Sequence, residues 1–346
     1  MVARTINRPI VVVADYRQEH AEINSATDDL DIYTNAELDE ILCALRMVCK
    51  TVSVFSSPVE FIDSIQNFRG ALVFPLWSGK LSRNRTALVS AISEGYGLEF
   101  FGADTYAYIV GQDKSLAKQV ARDFGISTPS SVLIHSLDRL HLIDLLTPPI
   151  VVKPSLEGSS IGISTRNLCR TTAEAYSVTT ELLNRFAQPV LVETFVPGIE
   201  TTVTIFGLNG RIHLFQALEI YEPTGQVDYS STIWSYELKK ANDRLPIVQR
   251  PICLPAADEK RLQDLFLALG KIDLVRIDGR VRDGVFHFLE MNPEPYLAQF
   301  SSVARSFEYN GFSYEEMFRQ LLLPFEVQPQ RDAPVCEKEV VKRQLE

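Results

Sequence analysis

Val275-Arg-Ile-Asp-Gly279 and, after a short turn, Val285-Phe-His-Phe-Leu-Glu-Met-Asn292 are the stretches on which the reading of this 346-residue chain turns. Both are extended apolar runs, yet they carry Arg276, Asp278, Glu290 and Asn292 where hydrophobic residues are expected. Polar insertions of this kind cost free energy unless something binds them. Side chains alternate along a strand, so Arg276 and Asp278 share one face, as do Glu290 and Asn292. Whether the two faces coincide depends on register, because a shift of one residue inverts every side chain. A strict two-residue Asp283-Gly284 hairpin sets Asp278 opposite Leu289 and separates the acids. A three-residue loop, with Gly284 near its end, sets Asp278 opposite Glu290 and forms one oxygen-rich patch. The metal reading therefore expects the longer, bulged turn. Two carboxylates and an amide oxygen with no soft ligand nearby suit Mg²⁺, with Mn²⁺ as the alternative ion, its shell completed by water and phosphate oxygens. The plain alternative is a hairpin whose acids are solvated at a sheet edge.

A second group of residues supplies what such an ion would serve. Ile150-Val-Val-Lys-Pro154 reads as a buried strand, Ser155-Leu-Glu-Gly-Ser-Ser160 as a small-residue loop, and Ile161-Gly-Ile-Ser164 as a further strand. Small residues let a backbone close over phosphates, and Lys153 adds a point charge at the base of the loop. A Walker A loop is excluded, because its Gly-Lys-Ser/Thr opens a helix and both flanks here read as extended.

Taken together, four segments resemble the ATP-grasp ligases, and among them the D-alanine–D-alanine ligases and related dipeptide ligases. They are Lys153-Pro-Ser-Leu-Glu-Gly-Ser-Ser-Ile-Gly162, Val192-Glu-Thr-Phe-Val-Pro-Gly-Ile-Glu200, Arg276-Ile-Asp278 and Leu289-Glu-Met-Asn292. They occur in the family's order, and the resemblance runs from about residue 70 to about residue 323. It implies an α/β fold with an N-terminal open parallel sheet and two α+β subdomains that sandwich ATP. The expected division is 1–103 for the N-terminal domain, 104–192 for the central subdomain with the phosphate-covering loop, 193–326 for the subdomain with the metal site, and 327–346 for a polar tail of disordered-type composition.

The resemblance also assigns roles. Lys114 and Lys153 hold the nucleotide phosphates with Ser160; Asp113 caps a helix from Lys114 to Phe124 that Gly125 ends, which places Lys114 in its first turn. Lys118 reads as an ordinary charged helix face. Glu193, Phe195 and Val196 border adenine, and Glu200 accepts from the ribose hydroxyls. Asp278, Glu290 and Asn292 hold the metal, Arg276 faces the developing oxyanion, and Ser159 orients substrate and loop. Tyr236-Glu-Leu-Lys239 matches a family motif on a mobile loop, which assigns Lys239 to phosphate and substrate carboxylate.

This chain departs from the pattern in places that bear on the second substrate. The run from Tyr221 to Trp234 is long, and Lys240 stands where an aromatic is usual. Pro293-Glu-Pro-Tyr296 replaces a Thr-Ser-Pro-Gly stretch, so Tyr296 reshapes the acceptor pocket while its N–H can still be donated. Ser301 falls where a family serine binds the acceptor carboxylate, and Ser302 replaces an apolar neighbour. At the other end, Pro9–Ala14, Ala36–Val48 and Thr51–Phe55 give a β-α-β order suited to a parallel sheet. Glu19 stands as the candidate anchor for the first amino group. Residues 76–85 lead into a helix from about Thr86 and are candidates to line the first-substrate pocket.

Composition fits this picture. A 46% hydrophobic content supports a core, and the length implies two or three packed subdomains. A formal charge of −10 argues against a general nucleic-acid or anionic-membrane surface. No run is long enough to span a bilayer, no convincing signal sequence opens the chain, and the five cysteines form neither a metal pattern nor an even disulfide set. His287, placed by alternation on the face opposite Glu290, reads as packed. A cytoplasmic ATP-dependent ligase follows, joining two small amino-acid-like substrates, with room for a homodimer. D-Alanyl-D-alanine synthesis is one version; a dipeptide or amide ligase of a specialised pathway is the other. A phosphoryl-transfer or carboxylating enzyme on the same site, and an ATP-binding regulatory module, are the competing classes.

Overall fold

The computed structural model describes residues 5–17, 32–79, 82–225, 227–228, 230–235 and 248–326. Glu19, Lys239 and the Tyr236–Lys239 motif lie outside them.

Three sheets organise these residues. The first is parallel, in the order β4-β1-β5-β6, from β1 (Ile10–Ala14), β4 (Val52–Phe55), β5 (Leu72–Leu76) and β6 (Glu99–Phe100); β2 (Tyr16–Arg17) and β3 (Tyr33–Thr34) form a small parallel pair beside it. Every residue of β1 is buried, because helices cover both faces. On one face Ile10 and Val12 pack with α1 (Asn35–Val48); on the other Val11 and Val13 pack with Phe61 of α2 (Pro58–Ser64) and Val89 of α3 (Leu88–Tyr96). A capping box starts α1: the Thr34 hydroxyl accepts the Glu37 N–H, and the Glu37 carboxylate accepts the Thr34 N–H.

Two helices, α4 (Thr105–Gln112) and α5 (Lys114–Asp123), lead to the second sheet. As expected, the Asp113 carboxylate caps α5, accepting from the N–H groups of Ser115 and Leu116, and Gly125 follows its end at φ 72°. The second sheet is antiparallel, in the order β7-β10-β8-β9, from β7 (Ser131–Ile134), β8 (Ile150–Pro154), β9 (Leu168–Cys169) and β10 (Val190–Thr194), backed by α6 (Thr172–Phe186). The strand expected at 161–164 is not formed. Ser159, Ser160 and Gly162 lie at φ 44°, 61° and 76°, and the Ile161 and Ile163 N–H groups close turns onto Gly158 and Ser160. Left-handed residues curl the chain where the Ile161/Ile163 alternation suggested extension.

The third sheet is antiparallel and has five strands, in the order β13-β12-β11-β14-β15: β11 (Ile199–Leu208), β12 (Arg211–Tyr221), β13 (Val248–Pro251), β14 (Leu274–Arg282) and β15 (Val285–Asn292). Its core face, which includes Val203, Ile205, Val275, Ile277, Phe286, Phe288 and Met291, packs on α5 and on α7 (Ala256–Ala268). After α8 (Ser302–Tyr309), helix α9 (Tyr314–Leu322) returns to the first sheet, where Phe318 and Leu321 share a core with Ile10, Ile41 and Leu45. The chain ends of this region meet there: the Asn7 N–H donates to Glu326 at 2.5 Å.

The β14–β15 register corrects the expected turn. Arg282 pairs with Val285, so the loop is the strict two-residue Asp283-Gly284, with both residues at positive φ (50° and 74°), as a type I′ turn requires. That turn alone would oppose Asp278 to Leu289. Instead the register shifts between Asp278 and Gly279, so that Gly279 pairs with Phe288 and Asp278 with Glu290, leaving Leu289 as a β-bulge. The acids meet through a bulge in the strand. Glycine at 279 permits it, since a Cβ there would lie 2.3 Å from the Phe286 ring and 2.6 Å from the His287 carbonyl oxygen. Counting the bulge also moves His287, which pairs with Arg280 and therefore belongs to the Glu290 side of the strand.

Candidate active site

The face of the third sheet away from its core carries polar side chains in three lateral rows, each set by strand pairing. Arg276, Thr204 and Gln216 form one, joined by Asn292; Asp278, Thr202 and Leu218 form the next, joined by Glu290; Arg280 and Glu200 form the third, and Ile220 and Gln249 continue it. Facing them across a cleft stand Lys153 on β8, Glu193 on β10, and the 157–160 turn; the cleft is also lined by Lys114, Phe195, Val196, Trp234, Leu289 and Ser302.

In the middle row, Asp278 is surrounded by donors. Arg276 donates to it from Nε at 2.9 Å and Nη2 at 2.7 Å, Thr202 from its hydroxyl at 2.9 Å, and Asn292 from Nδ2 at 3.1 Å. Glu290 lies 3.5 Å from the Lys114 ammonium. Among the described residues no third His, Cys, Asp or Glu gathers with these carboxylates as a metal cluster. The donor set is thus two hard carboxylates and an amide. That fits a divalent ion that takes most of its shell from water and phosphate, and it offers nothing to a soft metal.

Glu193 lines the cleft with Phe195 and Val196. Its carboxylate sits between two buried lysines, with Oε1 2.7 Å from Lys153 and Oε2 2.8 Å from Lys118. Lys118, read from sequence as a charged surface residue, is 1% exposed and also donates to the Phe288 carbonyl at 3.2 Å. Its spacing of four from Lys114 puts both on one face of α5, which was the signal for it. Burial pushes Lys118 down to about 8, although Glu193 opposes the shift. Burial also acts against Lys153 and Glu193, but the opposite charges around them together outweigh it, Glu193 and Glu290 for Lys153 and Lys118 and Lys153 for Glu193, so Lys153 is raised and Glu193 lowered. One carboxylate thus serves two ammonium groups, of which Lys153 lines the cleft.

Around the 157–160 turn, the Lys114 ammonium donates to the Glu157 carbonyl, and the Glu157 carboxylate accepts from Arg85 at 3.1 Å and Gln188 at 2.6 Å. Arg85, expected near the first-substrate pocket, thus ties the N-terminal lobe to this turn. The Ser160 hydroxyl donates to the Trp234 carbonyl at 2.7 Å, and Ser159 lines the cleft. Glu200, partly buried and raised by desolvation, accepts from Arg280 Nε at 2.7 Å. Arg280 was legible as the next residue in the 276, 278, 280 alternation, and Thr202 as the partner of Asp278; neither was singled out from sequence.

At the far end, Tyr296 stacks on Tyr33 with ring centroids 4.8 Å apart and 10° between planes, and the Tyr33 hydroxyl accepts the Leu297 N–H. Ser301 caps α8: its hydroxyl accepts the Ala304 N–H, and its own N–H donates to Ala298. Ser302 lines the cleft.

The family model described as D-ala D-ala ligase C-terminus matches residues 130–323, more than half of the chain. The chain belongs to the D-alanine–D-alanine ligase family. It is an ATP-dependent carbon–nitrogen ligase. A D-alanine–D-alanine ligase of Paracidovorax citrulli is 27% identical over 289 residues, covering 82% of each chain. Among solved structures, D-alanyl-alanine synthetase A of Vibrio cholerae has a TM-score of 0.67 at 19% identity, covering 95% of this chain and 100% of that one. D-alanine–D-alanine ligase of Bacillus anthracis complexed with ATP has a TM-score of 0.64 at 19% identity, covering 92% and 98%. These two likenesses establish the ATP-grasp fold. Among the described residues no helix is long and apolar enough to cross a membrane, and Cys43, Cys49, Cys169 and Cys253 are free.

Proposed function

We propose that this protein phosphorylates the carboxylate of one small amino acid with ATP and condenses the acyl phosphate with the amino group of a second. The observation that carries this is that two buried lysines share the single carboxylate of Glu193, and one of them, Lys153, lines the cleft that Asp278 and Glu290 of the middle row also line. Together they suit a triphosphate with its counter-ion. Lys114, Lys153 and the 157–160 turn hold the phosphates; Phe195, Val196, Ile220 and Leu289 give adenine apolar walls; and Glu200 accepts from the ribose. Asp278, Glu290 and Asn292 would hold Mg²⁺, which neutralises charge on the phosphates when bound.

A carboxylate is a poor electrophile, so its oxygen first attacks the γ-phosphorus and ADP leaves. The neutral amine of the acceptor then attacks the acyl carbon, the tetrahedral oxyanion collapses, phosphate departs with the electron pair of the broken C–O bond, and the proton on nitrogen passes to that phosphate or to water. Arg276 supplies the oxyanion with permanent charge and planar donors, for which it must share or leave Asp278. Catalysis is mainly positioning and charge stabilisation. Ser159 orients the loop and substrate. Tyr296, Ser301 and Ser302 bound the acceptor, and the Tyr33–Tyr296 stack sets that wall with side chains larger than a glycine would present. Lys239 and Glu19, outside the described residues, stand as proposals from sequence alone.

The test is a screen of amino acids in pairs with ATP and Mg²⁺, reading ADP release and condensed product by mass. D-Alanine with itself is the first pair, since relatives carry that name. A ligase turns over rapidly only with both partners and yields a new amide; ADP release that needs one partner and gives no amide would reject the reading.

A further inference from the structure

Arg280 lies one alternation beyond Asp278, with its side chain 4% exposed. Each guanidinium nitrogen is engaged: Nε donates to Glu200 at 2.7 Å, Nη1 to the Val196 carbonyl at 3.0 Å, and Nη2 to the Thr232 carbonyl at 2.5 Å. Its flat face lies over the Phe195 ring, 4.8 Å from the centroid. The partners come from three stretches of chain: the 195–196 segment, the start of β11, and residues 230–235. That last segment is held at two further points, by the Ser160 hydroxyl on the Trp234 carbonyl and by the Gly198 N–H on the Ser230 carbonyl at 3.1 Å.

We propose that Arg280 is a positioning residue for the nucleoside: it holds the Glu200 carboxylate at a fixed angle toward the ribose and ties residues 230–235 beside it. The inference rests on the ATP reading of the cleft. Only a planar fork reaches one carboxylate and two carbonyls in three directions while stacking on a ring; an ammonium keeps the charge and loses the angles. With Glu200 fixed, a nucleotide without ribose hydroxyls leaves a buried carboxylate oxygen without its donor, which makes the site discriminate. Arg280 touches no reacting atom, so its removal falls on nucleotide affinity and KM for ATP rather than on kcat.

The experiment titrates ATP and 2′,3′-dideoxy-ATP, each with Mg²⁺, into the full chain and into R280M, R280K and E200Q by calorimetry. The wild type should prefer ATP by about tenfold or more, R280M should shrink that preference to about twofold with the loss borne by ATP, and R280K should recover part of it. E200Q should behave like R280M. A wild-type preference retained in R280M, or a loss confined to kcat, overturns the proposal. Should R280M fail to fold, R280K and E200Q read the same ratio, and a wild-type value in both overturns it. A wild type that binds neither nucleotide defeats the proposed function itself, whereas one that binds ATP while every variant keeps its ratio defeats only the role of Arg280.

Discussion

The first and third sheets use alternation in opposite ways. In β1 the residues on both faces, Ile10 and Val12 on one and Val11 and Val13 on the other, are buried among helices, and all of them serve packing. In β14 and β15 the two faces divide the work: Ile277, Phe288 and Met291 pack, while Arg276, Asp278, Glu290 and Asn292 face the cleft. A strand with two apolar faces carries a fold; a strand with one polar face inside an apolar run carries a site. Neighbouring residues of β15 should therefore fail in different assays.

The largest expected effect is on the packing side. Phe288→Ala should lower stability by about 3–5 kcal/mol, read from denaturant unfolding, and a loss under about 1 kcal/mol would break the comparison. Two positions along, Glu290→Gln should lower turnover on the order of 10²–10³-fold, with the unfolding midpoint nearly unchanged. Retained activity would count against the metal assignment. Gly279→Ala probes the bulge that joins the two faces: the new Cβ crowds the Phe286 ring and the His287 carbonyl, costing about 1–3 kcal/mol. Its activity should fall more than its stability explains, and equal losses would detach the bulge from function. The smallest effect is a proton. Lys118, pushed down to about 8, is about half neutral at that pH, and a phosphate held at Lys153, which shares Glu193 with it, would raise its affinity for the proton. ATP binding at pH 8 should then take up protons and weaken as pH rises, as read by calorimetry in buffers of different ionisation enthalpy. The uptake should vanish in Lys118→Met; uptake unchanged in that variant would move the effect elsewhere.

For folding, the same depressed value has a defined sign. The unfolded lysine binds more protons than the folded one between pH 8 and its ordinary value near 10.5, so this group's penalty on stability is present at neutral pH and is relieved as pH rises through that window. Lys153 acts oppositely: being raised, its contribution is lost only as pH climbs through its folded value.

Much of this was legible from residues that break a local rule. Arg276, Asp278, Glu290 and Asn292 stood out because each interrupts an apolar run, and Asp113 because an acid precedes a helix. The route by which the acids meet was not legible. A longer turn and a bulge at Leu289 shift register by the same single residue, and the Asp283-Gly284 pair fits either. Lys118 was missed because its burial depends on Glu193, which arrives 75 positions later on another sheet. The 161–164 segment was misread because alternation of Ile161 and Ile163 outweighed two serines whose left-handed backbone only the folded loop reveals.

The placement of α9 has a consequence for how this molecule is made. Helix α9 fills the gap beside Ile41 and Leu45 under β1, so a ribosome that has delivered residues 5–103 but not yet 314–322 has delivered a lobe missing part of its own interior. Until α9 has emerged that lobe keeps an oily groove uncovered, which a chaperone that shields such grooves would bind.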